Sequence, residues 1–539
     1  MRASLDCANS QAHRYTGNVQ HRWLSWFAIV AAALAAWGGA RWAWCLPVLW
    51  LGTMVATLAL RPSQRRLLPR FWAIAGLCLL ALAWLVAKDH ELALRHTLTF
   101  VLAALLFALA RRGEVGDREI QALALAIAAT ALVGFLQLSG GFEEAREGLD
   151  LLAPGQRRAA ERRLELGRVF GTATLPGHFA ILLLMTAPIL LSGLQRASRW
   201  GRVLRLTGIA LVAASLVTAR SAAALVVAVV LLALAGARGL PRRRLALVGI
   251  AVLVVAALVA VSREDLRRAA PLRLRLVNWQ TAVWVFAHHP WLGVGLGGIG
   301  QAGLVSPQAP GNITPSAHNT PLQLLAELGV GGLPVVAAGL IALVGLLRRG
   351  LQRESGLALA VAVVPLHNLV DFSAYAPEVL LPWAVLAGTL AARVLPEPGL
   401  PLPGLVLVPV LVGGVTLQSL EWVGEVEAST AVSARVDERV RLALAASRWT
   451  PWKLTPVQAA AELALSSTVP MDLVKQTDAE LARRYWVRPL SSSWAEGRAR
   501  LQLRLGDRGA AMVWAREARR RAPHRGELAE LEAACRAGR

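Results

Sequence analysis

Charge is what this chain has little of. Asp, Glu, Lys and Arg make up only 17% of its 539 residues, against 55% hydrophobic residues. A soluble multidomain chain of this length carries about 25% charged residues, so that class is excluded. Cysteine is scarce as well. Cys7, Cys45, Cys78 and Cys535 are scattered along the chain, which excludes both a disulfide framework and a zinc site built on regular ligand spacing. Residues 1–22 lack the charged, apolar and cleavage regions of a removable signal, so no signal peptide is expected. Acidic residues are in deficit too: 34 against 57 Lys and Arg, for a net charge of +23. Such an excess raises the question of nucleic acid, and the distribution of the basic residues answers it in the negative.

What the chain has in abundance is long apolar runs, roughly thirteen of them, each about long enough to cross a bilayer core. Their cores lie near 24–40, 43–60, 71–87, 96–110, 120–138, 175–194, 203–219, 221–237, 245–262, 327–347, 355–374, 376–393 and 403–420. Backbone groups in lipid must bond within their own segment, so open sheets are excluded. The expected fold is all-α: a polytopic membrane protein of roughly 12–13 transmembrane helices. Arginine crowds the short even-numbered connections RPSQRRLLPR, RRGEVGDRE, QRASRWGRVLR, RGLPRRR and RRGLQR. The short odd-numbered ones, GGARW, KDHELALR, the single Arg220 and FSAYAPE, carry far fewer basic residues. Positive loops stay in the cytoplasm. This predicts a cytoplasmic tail at 1–22, a transmembrane domain at 23–420 and outward-facing odd loops. Two of those loops, about 139–174 and 263–326, are long, as functional loops often are. Residues 421–539 turn polar and Ala/Arg/Leu-rich, which predicts a helical domain outside the membrane.

Ionisable groups inside or beside a span are costly and mark function by default. His178, Arg220, His318, His367 and Asp371 are such groups, with Arg273 and Arg275 in the second long loop. On the predicted topology all of them gather at the outer boundary. Structural readings stand beside the functional ones. Arg220 can anchor a hairpin, Arg273 can be a solvated charge, and His178 can be a packed core histidine. His367 and Asp371, four apart on one helix face, can satisfy each other. Asn319 or Thr320 can cap the helix that follows, which leaves His318 unexplained. Gly293, Gly295 and Gly298 satisfy the spacing G-x-G-x-x-G. That spacing signifies a dinucleotide only after a strand, and here it follows a Trp-rich amphipathic stretch, so no nucleotide is expected. The acidic pairs Glu143–Glu144 and Glu264–Asp265 have basic neighbours, and no metal site is expected.

Five stretches resemble the O-antigen ligase and polymerase superfamily, bacterial enzymes of the inner membrane. RVFGTATLPGHFA (168–180) resembles its Arg-x-x-Gly-Thr segment. TARSAAAL (218–225) resembles its Thr-x-Ser-Arg-Gly segment, with Ala219 in place of Ser and Ala222 in place of Gly. RLVNWQTAVWVFAHHPWLGVGLGGIG (275–300) resembles its Arg…Trp…His-Pro-x-x-Gly-x-Gly block. SAHNTPLQLLAELGVGGLP (316–334) resembles its His-Asn…Leu-Gln…Glu-x-Gly block, and HNLVDFSAYAP (367–377) a His-x-Leu-Val-Asp-Phe block. The resemblance spans about 165–395. Near the C-terminus, LRLGDRGAAMVWAREARRRAP resembles a tetratricopeptide helix hairpin, with RLALAASRWTPWKLTPVQAAAELAL as a degenerate companion. An unrelated small helical cap remains the alternative.

The resemblance implies an inverting glycosyltransferase that needs neither metal nor other cofactor. Its donor would be a glycan on undecaprenyl diphosphate, and its acceptor a hydroxyl of lipid A-core or of another glycan or a protein. It implies His318 as the catalytic base, since a neutral imidazole accepts a proton near neutral pH. It implies Arg220, Arg275 and Arg168 as binders of the donor diphosphate, because guanidinium forks grip phosphate oxygens. Asn319, His367 and Asp371 would support the site. The implied location is the bacterial inner membrane, multi-pass, with the site and the C-terminal domain facing the periplasm. The C-terminal helices would meet envelope assembly proteins. A polymerase that extends lipid-linked glycan is the nearest alternative and a protein-glycosylating member another. A transporter is a more distant one, since transporters favour mid-membrane charges and internal repeats.

Overall fold

The computed structural model describes residues 23–38, 44–59, 70–113, 115–147, 161, 164–165, 167–195, 197–237, 270–308, 316–396, 404–429 and 434–537. Among them there is no strand, and the chain is an all-α polytopic membrane protein. The first half runs α1 (Trp23–Gly38), α2 (Cys45–Ala59), α3 (Arg70–Leu85), α4 (His90–Arg112), α5 (Asp117–Leu136), α6 (Pro176–Leu184), α7 (Thr186–Ser192), α8 (Arg199–Ala219) and α9 (Ala222–Ala237). Then come α10 (Ala270–His288), α11 (Thr320–Leu328), α12 (Gly332–Arg353), α13 (Ser355–His367), α14 (Pro377–Val394) and α15 (Gly404–Ser429). Six of the described helical segments are long and apolar enough to cross a membrane, and five shorter apolar helices accompany them. The predicted run at 245–262 lies outside the described residues; each of the others coincides with a helix or a broken helix.

The run at 175–194 divides into α6 and α7 around Met185. The last predicted part of the second long loop is the short helix α11. The glycine-rich turn Gly329–Gly331 joins it to α12, where missing side chains let the chain change course. α10 likewise occupies residues that composition alone reads as loop.

α4 and α14 pack side by side at the centre of the main apolar core. Gly388 allows this closeness: a Cβ there would fall 2.2 Å from the Phe107 carbonyl oxygen, the small-residue contact that helices in lipid rely on. α12 does the opposite. Leu340 and Ile341 on it are exposed, as suits a helix that faces hydrocarbon.

α15 runs across the predicted end of the last span. Beyond it lie α16 (Val436–Trp449), α17 (Thr455–Leu463), α18 (Met471–Arg483), α19 (Ser492–Arg504), α20 (Arg508–Arg521) and α21 (Gly526–Ala537), which carry cores of their own. Buried Arg484 ties this group together by donating to the carbonyls of Ser447, Thr450 and Lys453 and to Glu480. Polar contacts also fix these helices to the start of α4. Arg488 pairs with Asp89 and with Glu91, each at 3.0 Å. Glu91 accepts in addition from the Leu454 N–H and the Thr455 hydroxyl.

Candidate active site

Asp371 stands at the centre of the ionisable cluster. It lies in the turn between α13 and α14, and its side chain is 10% exposed. The turn is held by Asn368. The Asn368 side-chain oxygen accepts from the Ala374 N–H at 3.0 Å and from the Thr320 hydroxyl at 2.8 Å. Thr320 also donates its backbone N–H to the Asn368 carbonyl at 2.8 Å. The α13–α14 turn and the start of α11 are thus stitched together, and His318 comes to Asp371 from across that seam.

Asp371 Oδ1 lies 3.0 Å from His318 Nδ1, and Oδ2 lies 3.2 Å from Arg275 Nη2. His367 Nε2 is 3.5 Å from Oδ2, longer than a good hydrogen bond. Burial alone would raise the Asp371 carboxyl. The hydrogen bond with His318 and the charges of His367, His318 and Arg275 outweigh it and hold the group below the usual carboxylate range. An ionised carboxylate only accepts, so Nδ1 of a neutral His318 carries the ring proton. Its Nε2 then presents a lone pair.

His318 itself is bent out of the ordinary. Its φ is +51°, a left-handed conformation that non-glycine residues seldom take. The next residue, Asn319, caps α11 by accepting from the Leu322 N–H at 2.9 Å, and its amide donates to the Leu369 carbonyl at 2.8 Å. Trp279 on α10 donates its indole N–H to the His318 carbonyl at 3.2 Å. Trp279 is the Trp of the Arg…Trp…His-Pro block, and the packing of α10 against α11 brings it to the His318 carbonyl.

Arg220 is the second non-glycine residue with positive φ, at +48°. It closes α8 in the left-handed conformation, with its N–H on the Val217 carbonyl. Arg168 braces the same turn: its Nε donates to the Ala219 carbonyl at 3.0 Å. Gly177 connects this turn to the Asp371 cluster. A Cβ added there would lie 3.5 Å from Asp371 Oδ2 and 3.8 Å from Ser221 Oγ. The structure therefore brings His318, Arg275, His367 and Asp371 into one cluster. Asn319 sits at its seam, and the turn bearing Arg220 and Arg168 lies beside it. Arg273 is exposed on α10, outside the cluster.

A second carboxylate–imidazole pair lies nearby. Glu378 Oε1 accepts from the Thr174 N–H at 3.1 Å and the Thr174 hydroxyl at 2.7 Å, and sits 3.4 Å from His178 Nδ1. Both side chains are buried. Phe372 separates the pairs, with its ring edge-on to both His178 and His318.

The GVGLGGIG stretch has a packing role. Gly293, Gly295 and Gly297 all have positive φ. A Cβ on Gly293 would lie 2.4 Å from the Glu327 backbone, and one on Gly295 2.3 Å from Ala87. The Val294 and Gly295 N–H groups donate to the carbonyls of Ala326 and Glu327, and the Lys88 N–H donates to the Val294 carbonyl. The loop fills the space between α11 and the α3–α4 corner. α10 precedes it, and among the described residues there is no strand.

No curated protein and no solved structure matches the chain. Residues 207–337 match the family model described as O-Antigen ligase. That segment is less than half of the chain. It includes Arg220, Arg275, His318 and Asn319 and leaves Arg168, His367 and Asp371 outside. The match supports the superfamily resemblance and, with the membrane helices, a glycosyl-transferring ligase or polymerase.

Proposed function

We propose that this protein is an inverting glycosyltransferase that moves a glycan from undecaprenyl diphosphate to an acceptor hydroxyl at the outer face of the bacterial inner membrane. The observation that carries the reading is the His318–Asp371 pair, 3.0 Å apart, with Arg275 on the other carboxylate oxygen. Asp371 fixes the ring so that Nε2 is free to take the acceptor proton, the arrangement by which a carboxylate orients a catalytic imidazole. As the acceptor oxygen bonds to the anomeric carbon, the bond from that carbon to the phosphate oxygen breaks on the opposite face. The diphosphate leaves with the electron pair. A general base of this kind contributes about 10²–10⁴-fold.

Arg275, Arg220 and Arg168 supply the positive charge for the leaving diphosphate. Guanidinium groups stay ionised at any relevant pH and bind phosphate oxygens through two nitrogens. Arg275 engages Asp371 through Nη2 alone, so one group serves both the carboxylate and the donor. The arginines fill the place that a metal ion takes in many transferases, and lipid A-core or another glycan or protein presents the hydroxyl. The C-terminal helices, tetratricopeptide-like in this reading, face the periplasm and contact envelope assembly partners.

The test is transfer by purified protein in liposomes, with an undecaprenyl-diphosphate glycan, lipid A-core and a chelator. The reading expects glycan on the acceptor, unaffected by chelator and absent with His318→Ala. Longer glycan still on undecaprenyl diphosphate makes the protein a polymerase. Full turnover by His318→Ala removes the histidine as the base.

A further inference from the structure

A buried polar chain runs from the glycine-rich loop to the backbone of His318. Glu327, fully buried in α11, accepts from the Gly297 N–H at 2.9 Å and from Gln323 Nε2 at 3.0 Å on Oε1. Its Oε2 accepts from the Tyr375 hydroxyl at 3.0 Å. Gln323, also buried, turns its oxygen the other way and accepts from Ser316 Oγ at 3.0 Å and from the Ala317 N–H at 3.3 Å. Ser316 Oγ in turn accepts from the His318 N–H at 3.1 Å. Every link but the last, which is part-buried, lies inside the protein, where an unmade bond is costly.

We propose that Gln323 and Glu327 are positioning residues that hold the His318 turn in its left-handed conformation, and so keep Nδ1 on Asp371 and Nε2 toward the acceptor. A left-handed histidine persists only where its surroundings over-determine it. Gln323 supplies that constraint, because one amide oxygen fixes the two residues before His318. Glu327 then fixes the amide: its carboxylate oxygen faces Nε2, so the Gln323 oxygen must face Ser316. Glu327 is anchored to Gly297 and Tyr375, outside the turn, which gives the chain a rigid origin. Neither residue touches the reacting atoms. The inference rests on His318 being the base.

The experiment uses the full-length protein, selectively labelled with ¹⁵N-histidine, and reads both the His318 ring signals and transfer kinetics. Gln323→Leu keeps the volume and helix preference but removes all three bonds. It is expected to lose the single Nδ1–H tautomer of His318 and to lower kcat about 10–100-fold with donor KM unchanged, the cost of a misplaced group. Glu327→Gln keeps the acceptor oxygen for Gly297 and Gln323, and its amide can donate to the Tyr375 oxygen. It is expected to retain the tautomer and most of kcat, whereas Glu327→Leu behaves like Gln323→Leu. If Gln323→Leu, folded and inserted, keeps both the tautomer and kcat while His318→Ala is inactive, the positioning role is overturned and the transferase reading stands. If the wild-type protein transfers nothing but Gln323→Leu scrambles the tautomer, the transferase reading falls and the two residues hold the ring without positioning a base.

Discussion

Two carboxylate–imidazole pairs flank Phe372, and they differ in exposure and in the third group that joins them. Asp371 and His318 are 10% and 28% exposed at their side chains, and Arg275 joins them. Glu378 and His178 are 0% and 3% exposed, and their hydrogen-bond partners are each other and Thr174. The chemistry is the same and the access opposite. A base has to meet a substrate, so the half-open pair is suited to transfer. The sealed pair is suited to holding the segment before α6 against the start of α14. Removing one member of a buried hydrogen-bonded group is expensive because its partners lose an acceptor with no water to replace it.

The largest effect should come from breaking the open pair. His318→Ala is expected to lower transfer about 10²–10⁴-fold in protein that still folds and inserts. Asp371→Asn should lose nearly as much, since the amide can present its N–H to Nδ1 and stabilise the other tautomer. That tautomer places the proton on Nε2, where the lone pair is needed. If Asp371→Asn transferred normally, the open pair would be structural and the distinction between the two pairs would fail.

Breaking the sealed pair should do the reverse. Glu378→Ala leaves His178 and the Thr174 hydroxyl without their shared acceptor. The expected loss is about 1–3 kcal/mol of stability, read as a lower unfolding temperature in detergent, with kcat per folded molecule unchanged. A normal melting temperature combined with lost turnover would place Glu378 in the reaction instead.

The contrast also shows what a sequence can and cannot reveal. The helical runs are legible because lipid demands about 20 apolar residues per crossing. His318 is legible because a titratable ring beside such a run needs a reason. His367 and Asp371 are legible as neighbours because they lie four apart on one turn, and this local spacing makes them look like partners for each other. The shorter contacts of Asp371 go to His318 and Arg275, 53 and 96 residues away in sequence, so its central place depends on tertiary packing. Glu378 is harder still. It sits at the start of an apolar span and its histidine lies 200 residues earlier, a separation that no periodicity encodes. The glycine-rich loop is legible as a special backbone, while its packing role depends on how α3 and α11 approach it.

A smaller effect is expected at Arg275, the link between the open pair and the donor. Arg275→Lys keeps the charge and loses the planar fork. Donor KM should rise about tenfold, equivalent to roughly 1.4 kcal/mol of lost phosphate binding, with kcat reduced less. The corresponding change at exposed Arg273 should leave both constants alone. Equal effects at the two positions would mean that only bulk positive charge near the membrane surface matters.

The smallest effect is on the pH dependence of stability, and it separates Asp371 from the imidazoles around it. Burial pushes the Asp371 carboxyl up, and His318, His367 and Arg275 together pull it further down, so its folded value lies below the usual one. A group depressed in this way binds fewer protons folded than unfolded. Its contribution is therefore complete above the unfolded carboxylate value of about 3.9 and is lost as the pH falls toward the folded value. The unfolding temperature of wild type minus that of Asp371→Asn should stay constant between about pH 5 and 7 and shrink only below about pH 4. A loss of transfer on acidification from pH 7 to about 5, with that difference constant, then belongs to a group other than Asp371, which stays ionised through that range. If the difference already shrank at pH 6, Asp371 would be gaining a proton there. The carboxylate would then be unable to hold Nδ1–H at the pH of catalysis, and the open pair could not orient a base.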